Sequence, residues 1–297
     1  MNKIHNKEDL FLKVKDAFGT EHKKLENLKE SKKLFSSYKK LNDACRDIPF
    51  DWQFNAIHWV FGIRKICDEI AFSLSWMKAY AEVYKAIHPP ESALSHTNFQ
   101  ISYFADNCIT RIDSCKDKIA LMIWSYYCPF DPRENVLIYE HIRERIAFPL
   151  KFGLNIKGVK KLLNYLDLLN NDAFDQISRY RHMKIHRREP RIEIYGPKTH
   201  HDWPYMVPLY KTKEKEKWHK KVDEKYPDME KWDRESIKKS CYIKGILFDQ
   251  EVLKERLWAY NDIENLIYEC FLAVLKSASG CFHVLSLKKP FKKNRPM

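Results

Sequence analysis

Apolar residues recur at helical intervals along most of the chain. The first forty-odd residues form a Lys/Glu-rich amphipathic stretch with this spacing, and Ile48–Pro49 ends it. An apolar run over residues 56–87 predicts one long buried helix, which Pro89 and Pro90 stop. A second long helix is predicted over residues 96–128. The first half of the chain is therefore predicted to be helical.

Four further helices are predicted after residue 128. Apolar positions at helical spacing mark residues 134–147, 156–168 and 172–186, and Pro190 stops the last of these. A final amphipathic stripe runs over residues 248–277 and predicts a closing helix.

Between the last two helices the pattern changes to that of a small insertion. The segment RIEIYG, residues 191–196, alternates like a short strand. YMVPLY, residues 205–210, is a candidate hairpin partner, although Pro208 suits only an edge strand. Residues 211–239 are nearly all charged or aromatic, which is typical of a solvated helix pair or a mobile arm. The fold class predicted is an all-α helical bundle with long N-terminal helices and a small β and charged-arm insertion before the last helix.

This pattern divides the chain into four predicted segments. They are an N-terminal amphipathic helical extension (1–48), a helical core (49–190), a β-hairpin with a charged aromatic insertion (191–247), and the closing helix of the core with a basic tail (248–297).

The composition favours helices and argues against dinucleotide-binding, P-loop and membrane-spanning proteins. Only 7 glycines in 297 residues favour long helices over a turn-rich fold. The glycine-rich loops of dinucleotide-binding and P-loop proteins are missing from the sequence. Met1–Asn27 is charged throughout, and no apolar run approaches the roughly 20 residues of a membrane span. We expect a soluble, cytoplasmic protein with no membrane partner.

The charge favours a polyanionic partner. The formal net charge is +13 and the pI is near 9.2, although the last ten residues alone carry five cations and no acid. The eight cysteines include no C-x-x-C pair and are predicted to be buried, reduced thiols. His200 and His201 lack a third ligand at a recognisable spacing, so we expect no metal and no cofactor.

The segment RYRHMKIHRREPR, Arg179–Arg191, carries the chemistry. On a helix, His182 and His186 lie at i,i+4 on one face, Arg179 lies one turn earlier on that face, and Arg181 flanks it. Arginine is a permanent cation suited to phosphate, and histidine transfers protons near neutral pH. These are the groups that cleavage of a ribose-phosphate backbone needs. The alternative is a solvent-exposed basic helix end.

Arg181-His182-x-x-x-His186, near the end of a helix in a helical bundle, resembles the signature of the HEPN superfamily (higher eukaryotes and prokaryotes nucleotide-binding domain). That signature is R-x4–6-H with a polar residue after the arginine. The resemblance covers about residues 50–190 plus the closing helix. It implies a metal-independent endoribonuclease that generally works as a dimer, with two motif helices facing across a shared cleft. It also implies a bacterial toxin or defence effector, with a cognate inhibitor or antitoxin as a partner.

The resemblance also implies roles for the motif residues. His186 would act as general base or acid on the ribose 2′-OH and the leaving oxygen. Arg181 would hold the scissile phosphate, and His182 would orient or assist. The products would be a 2′,3′-cyclic phosphate and a 5′-OH, and DNA would resist cleavage. Arg179 also fits the spacing and shares the face of His186 more closely, but Arg181 is preferred because a polar residue follows it.

Three aspartates share one face of the second long helix, at i, i+7 and i+11: Asp106, Asp113 and Asp117. They are candidates to receive Arg181 or Arg179 and fix its position, or they simply face water. Arg111, beside them, is predicted either to contact RNA or to close an ion pair.

Residues downstream of the motif extend the predicted RNA surface. Three arginines are predicted to enlarge the positively charged surface: Arg187, Arg188 and Arg191. Four aromatic residues interleaved with lysines are candidates for base stacking or for a small satellite core: Trp203, Tyr205, Trp218 and Trp232. Of these, Trp203 is the predicted RNA contact.

Two other functions remain open at this point. One is a catalytically inactive HEPN protein that binds RNA, a nucleotide or a protein partner. The other is a helical scaffold with an incidental motif, which would bind RNA no better than its charge dictates.

Overall fold

The computed structural model describes most of the helical part of the chain. The described residues are 7–45, 50–87, 91–127, 139–151, 158–186, 191–193, 212–225, 227 and 257–287. The chain divides into two compact units, one made of residues 1–196 and 258–297 and the other of residues 197–257.

The described residues are almost entirely helical, so the prediction of an all-α fold is confirmed. In chain order the helices of the first unit are α1 (Lys7–Glu26), α2 (Lys29–Cys45), α3 (Phe50–Ile87), α4 (Glu91–Tyr127), α5 (Tyr139–Lys151), α6 (Val159–Asp167), α7 (Asp172–His186) and α9 (Tyr260–Ser286). The second unit contributes α8 (Thr212–Lys225). Two short strands, β1 (Arg191–Glu193) and β2 (Leu257–Ala259), pair with each other.

The N-terminal stretch is two helices rather than one continuous pattern. Helix α1 ends at Glu26. Just after it, the side chain of Asn27 donates to the Lys23 carbonyl at 2.9 Å, and Ser31 Oγ donates to the Leu25 carbonyl at 2.8 Å. These side chains satisfy carbonyl groups that a helix end leaves unpaired. The break therefore has a local chemical cause.

The closing helix begins later than predicted. The interpretation of residues 248–277 as one helix is wrong at Leu257–Ala259, which forms strand β2 and pairs with β1. Helix α9 begins at Tyr260 and ends at Ser286, nine residues after the predicted end. Leu257 matched the helical spacing by coincidence, because backbone pairing with a distant strand decides its conformation. The predicted strand over residues 191–196 is confirmed at residues 191–193, and residues 194–196 lie outside the described residues. Residues 205–210, the suggested hairpin partner, lie outside the described residues.

Helices α3 and α4 pack along each other and form the centre of the first unit. Helix α9 packs against α2, α4 and α6, α1 packs against α3, and α7 packs against α4 and α9. Large side chains at these contacts are fully buried, including Ile70, Met77, Ile109, Phe271 and Tyr180. Each burial of this kind contributes about 1.5–3 kcal/mol of hydrophobic free energy. Across the described residues, none of the helices combines the length and apolar character that crossing a bilayer requires.

Gly280 allows α9 to pack closely against α6. It is buried, and a Cβ at this position would overlap the ring of Tyr165. We expect Gly280→Ala to lower the free energy of unfolding by about 1–3 kcal/mol, because the overlap outweighs the helix propensity gained. Urea unfolding followed by circular dichroism measures this change.

Gly62 in α3 provides a matched control. A Cβ there meets no atom within 4 Å, so Gly62→Ala should stabilise the protein by up to about 1 kcal/mol. Trimming the ring with Tyr165→Ala should relieve part of the cost of Gly280→Ala in the double variant. Equal stability of the two glycine variants would contradict the packing argument.

Candidate functional site

The motif helix α7 has a well-defined start. Asn171 Oδ1 accepts the backbone N–H groups of Ala173 at 3.0 Å and Phe174 at 3.2 Å, as an N-cap residue does. Asp172 and Asp175 occupy the first turn, where acidic side chains favour the helix dipole. The helix then runs to His186, so the predicted bounds of residues 172–186 are confirmed.

Buried side chains fix α7 against the rest of the unit. Phe174, Ile177 and Tyr180 are at most 1% exposed. The Tyr180 hydroxyl donates to Asp106 Oδ1 on α4 at 3.0 Å. This pairing holds the middle of α7 at a defined position on α4.

Arg181 is held on α4 by a carboxylate. Its Nη1 donates to Asp113 Oδ2, and Ser178 Oγ donates to Asp113 Oδ1 at 3.3 Å. The Asp113 side chain is 16% exposed, whereas the Arg181 side chain is 39% exposed. The guanidinium is therefore fixed on one side and accessible on another.

The guanidinium of Arg181 retains unused donor capacity. An arginine carries five N–H donors, and Nε of Arg181 is buried without a hydrogen-bond partner among the described residues. Burial closes Nε to a ligand, so an anionic oxygen would bind at the exposed part of the guanidinium, which keeps its positive charge and a fixed position.

The other members of the acidic stripe serve different contacts. Asp117 accepts the backbone N–H of Tyr139 at 3.0 Å and so holds the start of α5, rather than receiving the arginine as predicted. Burial raises the pKa of the Asp117 carboxyl above its usual range; the nearby Asp113 carboxylate adds to the rise, and the Tyr139 N–H opposes it. Asp113 is the member of the stripe that bonds Arg181.

Arg111 closes an ion pair, which was one of its two predicted roles. Its Nε lies 2.8 Å from Oε2 of Glu69 on α3. Sequence reasoning missed Glu69 because the partner lies on a different helix, far away along the chain. It also missed Ser178, although that residue lies one helical turn before Arg181 and could have been found as a shared partner of the same carboxylate.

The remaining motif positions are placed by the backbone of α7. With about 3.6 residues per turn, Arg179, His182 and His186 share a side of α7 opposite Ile177, and Arg181 lies toward the buried side. Arg179 is exposed. The side chains of His182 and His186 lie outside the described part of the structure.

Comparison with protein families decides the classification. A family model described as HEPN_Cthe2314-like HEPN matches residues 59–249, which is more than half of the 297 residues. The chain belongs to the HEPN superfamily. The search of curated proteins and the search of solved structures gave no match. HEPN membership indicates a nucleotide- or RNA-related function.

The HEPN match includes both helices of the site. Helix α4 with Asp113 and helix α7 with the whole R-x4-H motif fall within residues 59–249. Helices α1, α2 and α9 fall outside that range, although they pack in the same unit.

Several predicted residues of this HEPN protein lie outside the part of the chain that the structure describes. Seven of these residues lie outside it entirely: Arg187, Arg188, His200, His201, Trp203, Tyr205 and Trp232. For Arg191 and Trp218, the backbone is described but the side chain is not. Five of the eight cysteines are described, and all are buried free thiols: Cys67, Cys108, Cys115, Cys270 and Cys281. Burial raises the pKa of the Cys270 and Cys281 thiols to about 12. In the described part of the chain, no group of three or more His, Cys, Asp or Glu residues is arranged to hold a metal ion.

Proposed function

We propose that this HEPN protein is a metal-independent endoribonuclease whose catalytic residues are Arg181 and His186. The observation that supports this most is the Arg181–Asp113 contact, which fixes a partly exposed cation on the helix that carries both motif histidines. Arg181 binds a non-bridging oxygen of the scissile phosphate and stabilises the charge that develops there.

The reaction uses the ribose itself as the nucleophile. The 2′-oxygen attacks phosphorus, the bond from phosphorus to the 5′-oxygen breaks, and the products are a 2′,3′-cyclic phosphate and a 5′-OH. The 2′-OH loses its proton as the new bond to phosphorus forms, and the 5′-oxygen gains a proton as its bond breaks. His186 makes one of these two transfers, and water, assisted by His182, makes the other. All atoms and charges balance without a metal ion.

Asp113 acts as a positioning residue in this scheme. It accepts a hydrogen bond from Nη1 of Arg181 and leaves the exposed part of the guanidinium open to a ligand. Holding the guanidinium in place removes rotational freedom before substrate binds, and such pre-organisation lowers the barrier to reaction. Ser178 adds a second hydrogen bond to the same carboxylate.

The register of α7 favours a site shared by two copies. Arg181 and His186 are five residues apart and therefore lie on different sides of the helix. Two α7 helices facing across a cleft would supply each phosphate with groups from both copies. In this proposal Arg187, Arg188, Arg191 and Trp203 bind the flanking RNA. The protein acts in the cytoplasm as a toxin or defence effector, restrained by a cognate inhibitor or antitoxin.

The direct test is cleavage of RNA in the presence of EDTA. We expect purified protein to cut single-stranded RNA and leave 2′,3′-cyclic phosphate and 5′-OH ends, detected by mass spectrometry. The same oligonucleotide with 2′-deoxyribose should stay intact, because it lacks the nucleophile. A requirement for Mg²⁺ would contradict the mechanism. RNA binding without any cleavage would support the catalytically inactive alternative.

A further inference from the structure

A cavity lies where the N-terminal helices α1 and α2, which are outside the HEPN match, meet α3 and α9. It has a volume of about 590 Å³ and is lined by residues of α1, α2, α3 and α9. This volume falls within the range of about 300–1,000 Å³ that is typical of small-ligand pockets. Its floor is apolar and buried: Leu25, Leu34, Cys67, Phe271 and Leu275.

Exposed aromatic rings stand at the rim of the cavity. Phe35 on α2 is 55% exposed and Phe72 on α3 is 48% exposed, and both line the cavity. Because both rings line the same cavity, they form one apolar rim rather than two scattered surface residues. Together they offer faces on which a planar aromatic group can stack.

The His22 ring is the end of a stack that reaches the cavity. Its ring stacks on Phe18 at 5.2 Å between centroids and 13° between planes, and Phe18 stacks on Trp76 at 4.4 Å and 20°. His22 also lines the cavity. A planar ring entering there would extend a column of rings that already exists.

Hydrogen bonds fix the orientation of His22 in advance. The single hydroxyl proton of Ser75 is donated to the Ala71 carbonyl at 2.6 Å, so Nδ1 of His22 must be the donor in its 3.2 Å contact with Ser75 Oγ. The other ring nitrogen, Nε2, lies 3.6 Å from a carboxylate oxygen of Glu26. A preorganised ring loses little entropy when a ligand binds.

The helix beside the cavity is strongly basic. Helix α2 carries five lysines, all exposed, and two acids, whereas α1 carries five lysines and five acids. Lys32 and Phe35 both line the cavity, and Lys39 lies on the same side of α2. The guanidinium of Arg64, also in the lining, lies 5.2 Å from the Phe35 ring centroid and 3.9 Å from the Asp68 carboxylate, so the excess positive charge at the cavity comes from the lysines of α2. Cations beside exposed rings are the combination that binds single-stranded nucleic acid.

We propose that the cavity accepts one unstacked base of a single-stranded RNA, and that the adjoining phosphates lie along the lysines of α2. The N-terminal helices thus give the enzyme a second RNA contact apart from the motif helix. This rests on the proposed function in that RNA is the substrate, but not on cleavage.

Binding of an uncleavable RNA tests the stacking contact. The probe is a fluorescein-labelled 2′-O-methyl oligoadenylate of about 12 nucleotides, which has no free 2′-OH. We expect Phe35→Ala and Phe72→Ala each to weaken binding roughly 5- to 150-fold in fluorescence anisotropy. Phe35→Tyr, which keeps the ring, should bind like the wild type.

Phe99→Ala is the matched control, because Phe99 is 65% exposed on α4 and does not line the cavity. It should leave RNA binding unchanged. If Phe35→Ala and Phe72→Ala bind as tightly as Phe99→Ala, the proposal is wrong. It is also wrong if these variants change the sedimentation of the protein but not its affinity for RNA, since the rings would then form a protein interface.

Salt dependence tests the phosphate contacts separately. Replacing Lys32 and Lys39 with glutamine should reduce the slope of log K against log salt by about 1.4, at roughly 0.7 per phosphate contact. The same replacement of Lys13 and Lys15, exposed on the balanced helix α1, should change it little. Equal slopes for the two pairs would overturn the placement of the backbone along α2. Because these assays need no cleavage, an inactive motif would not affect them.

Discussion

Replacing His186 with alanine is expected to lower the rate of RNA cleavage by about 10²- to 10⁴-fold, because a positioned general acid or base contributes that much to a proton-transfer step. The effect should appear in kcat, since the imidazole transfers a proton in the transition state and contributes little to ground-state binding. Cleavage of a fluorescent RNA in EDTA at saturating substrate measures it. RNA affinity should stay within about twofold of the wild type, which would show that the fold is intact.

Two histidine variants define how specific this result is. His58→Ala is the control, because His58 is an exposed histidine on α3 outside the motif. It should cleave RNA at the wild-type rate. His182→Ala should cause a smaller loss than His186→Ala, since His182 only assists. If His186→Ala cleaves as well as His58→Ala, His186 is not catalytic.

The parts of the fold that follow local rules were predictable. Helix α7 has the predicted bounds because its start and its apolar spacing are local properties of residues 172–186. The partner of strand β1 was not predictable, because Leu257–Ala259 carries the same apolar spacing as the helix that follows it. The alternation of residues 191–196 predicted a strand, but it carries no information about which distant segment pairs with it.

The site shows the same division between local and distant information. Periodicity placed Asp113 and Asp117 on one face of α4, but spacing alone could not tell which carboxylate receives Arg181. The difference comes from the neighbours of α4, since α7 reaches Asp113 and the start of α5 reaches Asp117. Contacts of this kind depend on how whole helices pack.

The N-terminal helices are part of the core rather than a separate arm. Lys78 on α3 lies 2.9 Å from Glu264 on α9 and 4.0 Å from Glu21 on α1, so one cation joins three helices. Val14 of α1 is fully buried, and Leu25 at the end of α1 is nearly so. The cavity beside α2 is consequently held at a fixed position relative to the motif helix, within the same unit.

Replacing Arg181 with alanine is expected to lower kcat by about 10²- to 10³-fold, comparable to the loss of one donor that stabilises a developing oxyanion. Arg179→Ala is the matched control, since it removes the same charge from the same helix at an exposed position where no carboxylate among the described residues anchors it. It should reduce cleavage less than tenfold, through weaker attraction of RNA, and its effect should shrink as salt is added. The opposite ranking of the two variants would move the catalytic arginine to residue 179.

The role of Asp113 can be separated from that of Arg181 by a double-mutant cycle. Asp113→Asn should lower kcat by up to about 10²-fold with little change in KM, because the guanidinium loses its anchor but keeps its charge. Adding Asp113→Asn to Arg181→Ala should cause almost no further loss, since Asp113 acts through Arg181 alone. Thermal melting of each variant separates a loss of structure from a loss of chemistry. Additive effects on kcat would mean that Asp113 acts on the RNA independently, and the positioning role would then be rejected.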